Sequence, residues 1–210
     1  MPRGRFASAA VSDDEAPRGS GAGSDERRLQ ILRAAADVIC ERGFDDTRVA
    51  QVAKRAGVSG GTIIYHFRTL DQLLVEALRH TEELFYASAE GIVAEGTSTQ
   101  DRLRRLVEWM FSPDHNNRQL RSLWIDTWSQ ATRHTEVATA RAAQDERWRA
   151  MIAGIVGELP IARHDIDRFA VGFAAILDGL MIQVALDDPN VGAELACELA
   201  MSYASAALGW

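Results

Sequence analysis

The stretch Ala53-Lys54-Arg55-Ala56-Gly57-Val58-Ser59-Gly60-Gly61-Thr62-Ile63-Ile64-Tyr65-His66-Phe67 decides how this 210-residue chain folds. A helix-turn-helix needs a short first helix and then a glycine that can take a left-handed turn. It also needs a small apolar residue to plug the gap between helices, and a capped second helix that fits a DNA major groove. Ala53, Gly57 and Val58 meet those requirements in order, and Ser59 stands where the second helix needs its cap. The first turn of that helix, Ser59-Gly60-Gly61-Thr62, is small. Small side chains let a helix N-terminus, with its free amides and positive dipole end, come close to a phosphate.

Upstream, Leu29, Leu32, Ala36 and Ile39 recur at three- and four-residue steps and predict a first helix over residues 25–42, stopped by Gly43. Phe44 follows as a core plug. Thr47 is expected to cap the second helix, with Val49, Val52 and Ala53 facing inward. Downstream of Thr69 a fourth helix, to about residue 85, carries Leu70, Leu73, Leu74, Ala77 and Leu78 on one face. Five longer helices are expected over roughly 101–111, 117–132, 136–159, 165–186 and 191–208, separated by turn and capping residues. The expectation is an all-α protein: an arm over 1–24, disordered for want of large apolar groups; a three-helix helix-turn-helix DNA-binding domain over 25–70; and a six-helix ligand-binding and dimerisation domain over 71–210.

Hydrophobic residues make up 47% and charged residues 25%, the composition of a water-soluble globular chain. No run approaches the ~20 uninterrupted apolar residues of a membrane span, and residues 1–24 lack the apolar centre of a signal peptide, so a cytoplasmic location with no membrane partner is expected. Cys40 and Cys197, far apart in helices, read as small buried residues. The net charge of −7 is unevenly spread. Residues 25–80 hold nine Lys/Arg against eight Asp/Glu, whereas residues 81–210 hold eleven against nineteen. Between Thr47 and Leu70 stand Arg48, Lys54, Arg55 and Arg68 and no acidic residue, an island suited to phosphate. Lys54 and Arg55 read more readily as plain solvated charges than as contacts.

Gly43-Phe44, Thr47, Val52-Ala53, Ala56-Gly57-Val58-Ser59, Gly61-Thr62-Ile63, His66-Phe67 and Leu73-Leu74 together resemble the N-terminal domain of the tetracycline-repressor-like (TetR) family. The nine expected helices are similar to that family's layout of three for DNA and six for sensing and dimerisation. Leu177-Asp178-Gly179-Leu180 resembles the choline-responsive subgroup. The resemblance implies that Thr47 and Arg48 contact phosphate, that Ser59, Gly60, Thr62 and Tyr65 face the groove, and that His66 reaches backbone or base. The residues leave two of these open, since Tyr65 would also pack on the fourth helix and His66 would also brace the helix end. Ile64 and Leu70 depart from the family's usual tyrosine and lysine, which hold phosphates; Tyr65 and Arg68 stand near enough to substitute. The implied partners are double-stranded operator DNA, an unidentified small-molecule effector and a second copy in a homodimer. The implied activity is repression relieved by a small-molecule effector, which the tryptophan content points to as hydrophobic.

Four of five tryptophans fall between Trp109 and Trp148, and Trp124 and Trp128 share a helix face. Phe173 and Met181 provide an apolar side for the same cavity, with Asp126 and Asp178 as polar members. Packed core explains an aromatic stripe at helical spacing equally well. Small residues on the last two helices, among them Ala170, Ala174, Ala196, Ala200 and Ala204, suit a four-helix dimer interface. The five histidines are scattered without metal-ligand spacing, no nucleophile–base pair stands out, and the glycines at 57–61 belong to the turn. Neither an enzyme nor a cofactor is expected.

Overall fold

The computed structural model describes residues 20–112 and 115–210, so the expected arm lies, up to residue 19, outside the described residues. Among the described residues there are nine helices and no strand: α1 (Ser20–Arg42), α2 (Val49–Ala56), α3 (Gly60–Phe67), α4 (Leu70–Ala94), α5 (Thr99–Phe111), α6 (His115–Ala131), α7 (Thr135–Val156), α8 (Arg163–Ala185) and α9 (Ala193–Leu208). The order and type of the helices match expectation, and the boundaries move by a few residues. α1 starts five residues early, α4 runs nine residues further, and α7 ends before Pro160.

The turn between α2 and α3 is built as its sequence demands. Gly57 sits at φ 63°, ψ 34°. Its N–H donates to the Lys54 carbonyl at 3.4 Å and the Val58 N–H to the Ala53 carbonyl at 3.0 Å, the crossed pair that satisfies a helix end. Ser59 Oγ then accepts from the Thr62 N–H at 3.0 Å and caps α3. Thr69 does the same for α4, accepting from Gln72 N–H at 3.1 Å. Arg68 between them holds φ 57°, an uncommon conformation for a residue with a Cβ.

Thr47 departs from expectation. The cap position of α2 is Arg48, whose N–H donates to Gln51 Oε1 at 2.8 Å. Thr47 is fully buried, and its hydroxyl donates to the Gly43 carbonyl at 2.8 Å. On α1 the inward face is Ile31, Leu32, Ala35, Val38 and Ile39; Leu29 stays largely exposed and Ala36 half-buried.

Two hydrophobic cores share α4. The first gathers that α1 face with Val52, Ala56, Ile63 and Phe67, and continues past residue 70 through Leu73, Leu74, Ala77 and Leu78. Leu123 of α6 closes it. The second takes Phe85, Tyr86 and Ala89 from the other half of α4 and packs them with α5, α7, α8 and α9. At 25 residues α4 spans about 37 Å, long enough to serve both.

α8 is long and apolar enough by length and composition to cross a membrane, with a mean hydropathy of 1.5 over its best window. Phe169, Phe173, Leu177 and Met181 are nevertheless packed inside the second core. The small residues divide. Ala170, Ala174, Ala196, Ala200 and Ala204 are buried within the chain, where α8 meets α9. There Gly172 leaves room for the Tyr203 hydroxyl, which a Cβ would meet at 2.3 Å. The exposed faces of α8 and α9 instead show Val171, Leu195 and Leu199. Cys40 and Cys197 form no disulfide among the described residues and are half-buried, and burial pushes the Cys40 thiol up to about 11.

Gly57→Ala forces a side chain into the left-handed region, where it costs about 1–2 kcal/mol. Chemical denaturation should show the unfolding free energy falling by that amount, as a lower midpoint at constant slope; an unchanged midpoint would show that the turn tolerates an ordinary residue.

Candidate nucleic-acid interface and ligand cavity

α3 presents a compact exposed surface. Tyr65 is 82% exposed, so it does not pack on α4, and its ring meets His66 edge-on with centroids 5.2 Å apart. His66 is half-buried and lies against Phe67. Ser59 is exposed and Gly60 and Thr62 are half-buried along the same N-terminal turn. A Cβ at Gly60 would meet Val49 at 3.7 Å, ordinary contact, so nothing inside the chain requires glycine there. Ile63 and Phe67 point fully inward, while Ile64 is 45% exposed.

Arg48 is exposed and its guanidinium donates to the Asp45 and Thr47 carbonyls, which holds it at the start of α2. Thr47, buried beneath it, cannot offer its side chain to a phosphate without leaving its site. Arg55 is engaged by α1: its Nη2 lies 2.5 Å from Glu41 Oε1 and its Nη1 3.4 Å from Asp37. The Arg55 hydrogen bond holds the Glu41 carboxyl below the usual range. Lys54 and Arg68 are exposed. Leu70 packs against the first core, which is what a leucine does in place of a lysine.

The second site is a partly open cavity between α4, α6, α7 and α8, of about 30 Å³, room for about two waters. Phe85, Tyr86, Trp124 and Trp148 supply ring walls, with Met110 behind; Glu82, Asp178, Arg141 and Gln144 supply polar groups. Phe85 is the hub: its centroid lies 4.5 Å from that of Trp124, 5.0 Å from Trp109 and 5.8 Å from Trp148. The Tyr86 hydroxyl donates to the Gln144 carbonyl at 3.0 Å, and the Arg147 guanidinium covers the Tyr86 ring at 3.9 Å.

Both carboxyls are strongly perturbed. Burial pushes Glu82 up to about 7, Arg141 opposing and Glu83 assisting. Burial likewise pushes Asp178 up to about 6, with Arg141 opposing and Asp145 assisting. Arg141 itself pairs with Asp145 at 2.6 Å and lies over Trp128 at 4.8 Å.

Of the expected ligand residues, Trp124 and Asp178 line this cavity. Trp109 backs the wall through Phe85. Phe173 is fully buried, stacked on Phe169 at 5.1 Å and on Tyr203 at 6.2 Å, and Met181 is sealed in the same core. Trp128 sits one turn along from Trp124, under Arg141 and outside the lining. Asp126 is elsewhere: its Oδ2 accepts from the Phe44 N–H at 2.7 Å, tying α6 to the loop after α1. Two residues beyond Trp124 a helix has turned about 200°, so one helix cannot aim both into one cavity.

Glu82, Phe85 and Tyr86 on α4, and Arg141, Gln144 and Trp148 on α7, are absent from the expected set. Their signal was present as three- and four-residue spacing of mixed aromatic and polar residues on two helices.

Residues 31–77 match the sequence family of bacterial regulatory proteins, tetR family, and residues 99–209 match that of the BetI-type transcriptional repressor, C-terminal. The chain is 31% identical over 179 residues to the HTH-type transcriptional regulator BetI of Stenotrophomonas maltophilia, covering 84% of this chain and 90% of that protein. A transcriptional regulator of Saccharomonospora viridis, solved in complex with choline, is 27% identical with a TM-score of 0.76, covering 85% of this chain and 95% of that one. A TetR-family regulator from Rhodococcus sp., 24% identical, shares the fold with a TM-score of 0.74 over 88% of this chain and 99% of that one.

A carboxyl whose folded value is raised weighs against the fold as pH climbs from its ordinary value, near 4.5 for Glu82, to its folded value near 7. Glu82→Gln should therefore melt at a higher temperature than the parent at pH 8, with the gap closing towards pH 4.5. Melting curves that run parallel across this range would show that the carboxyl is not buried as described.

Proposed function

The chain belongs to the TetR family of bacterial transcriptional regulators, with its BetI-type C-terminal domain, and from that premise we propose a homodimeric repressor that reads a near-palindromic operator and releases it when a small organic cation fills the cavity. The observation that carries the effector class is the pair of half-buried carboxyls, Glu82 and Asp178, within a wall of four aromatic rings. Ring faces attract an onium ion by about 2 kcal/mol or more when water is excluded, and a carboxylate held in a dry site regains a counter-charge on binding. The choline in the Saccharomonospora viridis regulator has this chemistry. A purely hydrophobic effector, the expectation from tryptophan content, would bring no counter-charge to either carboxyl beyond that of the arginines already present.

On the DNA side, α3 would enter the major groove with Ser59, Gly60, Thr62 and Tyr65 towards the bases and His66 at its end, while Arg48 takes phosphate. Tyr65, at 82% exposed, is the residue most plainly free for that role. Val171, Leu195 and Leu199 form exposed apolar faces on α8 and α9. Two such helices from each copy would make a four-helix interface and set the reading heads about 34 Å apart. The chain would work in the cytoplasm, where its operator lies.

Release follows from the route between the sites. A cation drawing on Glu82, Phe85 and Tyr86 shifts α4, whose other half is part of the reading head's core. A coupling of about 1–3 kcal/mol suffices for regulation.

Gel shifts on fragments from the host chromosome should give binding that falls steeply with salt. Tyr65→Ala should weaken it about tenfold or more, and choline should dissolve the complex in the parent but far less in a Glu82→Gln/Asp178→Asn variant. Salt-independent binding, or release that ignores both carboxyls, would overturn the reading. Sedimentation should show a dimer for the parent and a monomer for Val171→Glu/Leu199→Glu, with DNA binding lost together with the dimer; a double variant that stays dimeric places the interface elsewhere.

A further inference from the structure

We propose that Arg141 and Gln144 read a hydroxyl group on the effector, so that the cavity prefers a hydroxyl-bearing onium ion to one carrying alkyl groups alone. The inference rests on the cation reading above and adds the second half of the ligand.

Arg141 and Gln144 lie three residues apart on α7, so they share one face of that helix, and both line the cavity. The Arg141 side chain is only 12% exposed. Its Nη2 is spent on Asp145 at 2.6 Å and its guanidinium lies over Trp128. Its Nε, however, is buried and has no hydrogen-bond partner among the described residues. Gln144 Oε1 is buried and unpartnered in the same way, and the carbonyl of the same residue is already taken by the Tyr86 hydroxyl. One wall of the cavity therefore offers one free donor and one free acceptor.

A buried N–H or C=O without a partner costs about 1–3 kcal/mol. A hydroxyl is the smallest group that removes both costs at once, because its oxygen accepts from Arg141 Nε–H while its hydrogen is donated to Gln144 Oε1. The remaining walls suit the other end of the same molecule, with rings and the Glu82 and Asp178 carboxyls around an onium head. An alkylammonium without the hydroxyl fills the head position and leaves both α7 atoms unpaired. That asymmetry is where discrimination is strongest, since a site built for a hydroxyl rejects the analogue lacking it more firmly than a greasy pocket rejects a missing methyl.

The probes are choline, which has the hydroxyl, and tetramethylammonium, which does not, titrated calorimetrically into the full chain. The parent should bind choline about tenfold more tightly or better. Gln144→Leu keeps the volume and removes the acceptor; Arg141→Lys keeps a cation for Asp145 and removes Nε. Each should bring the ratio to about threefold or less, chiefly by weakening choline, with tetramethylammonium within about threefold of the parent value. A merely structural role would weaken both ligands equally, so a ratio preserved in either folded variant overturns the proposal. A parent that binds both ligands alike overturns it too, and shows that trapped water satisfies the two atoms. A parent that binds neither ligand removes the cation reading itself, and this inference with it.

Discussion

One helix cannot be shifted in two packed cores independently, and α4 belongs to both. Leu73, Leu74, Ala77 and Leu78 are sealed against α1 and α3, while Phe85, Tyr86 and Ala89 are sealed against the larger bundle. Protein interiors pack as densely as organic crystals, so a rigid rod fixed at both ends transmits displacement instead of absorbing it. From Glu82 to Leu70 the helix rises about 18 Å. A tilt of a few degrees at the cavity moves its N-terminus by roughly 1–2 Å, the size of helix shifts that switch other assemblies. The Thr69 cap and the Arg68 turn join that end directly to the last residue of the recognition helix.

α6 provides a second tie. Trp124 faces the cavity, and on other sides of the same helix Leu123 enters the reading head's core, Asp126 accepts from Phe44 N–H, and the Gln130 amide donates to Asp45 at 3.0 Å. Asp45 and Phe44 lie in the loop that leads through Thr47 to α2. Thus two of the three helices that contribute aromatic walls, α4 and α6, also grip the head, one beneath α3 and one beneath the approach to α2. Linkage is reciprocal: whatever ligand occupancy does to DNA affinity, DNA must do to ligand affinity by the same factor.

The reading head was legible in the sequence because its parts are local. Gly57, Val58 and Ser59 act within five residues of one another, and their geometry follows from a left-handed turn and one side-chain cap. Helix order was legible for the same reason. The cavity was not, because membership depends on which way each helix is rotated once α4, α6, α7 and α8 are packed, and that is settled by tertiary contacts. Tryptophan content drew attention to α5 and α6 and missed Phe85 and Tyr86 on α4. Asp126 shows the error most clearly: a carboxylate beside two tryptophans in sequence faces the opposite way in space, where it holds a backbone amide. Thr47 failed differently. Its capping chemistry was recognised, but the hydroxyl turned to a carbonyl behind it, and Arg48 took the boundary.

The cavity, about 30 Å³, is smaller than an onium alcohol, so the proposed occupancy would require the walls to part. The contacts that must loosen are ring pairs around Phe85, each worth about 0.5–1.5 kcal/mol. That expense is deducted from affinity, and it is also the means of signalling, because a ligand that fitted without moving Phe85 would leave α4 where it was and shift no equilibrium. The raised carboxyl values work in the same direction. With Glu82 near 7 and Asp178 near 6, part of the site is protonated at neutral pH, and the uncharged form suits the closed walls. A cation bound as proposed would favour the ionised form, displacing a proton as it opened the rings. Under the proposed reading, closure and DNA binding would stand on one side of a single equilibrium, and opening, full ionisation and release on the other.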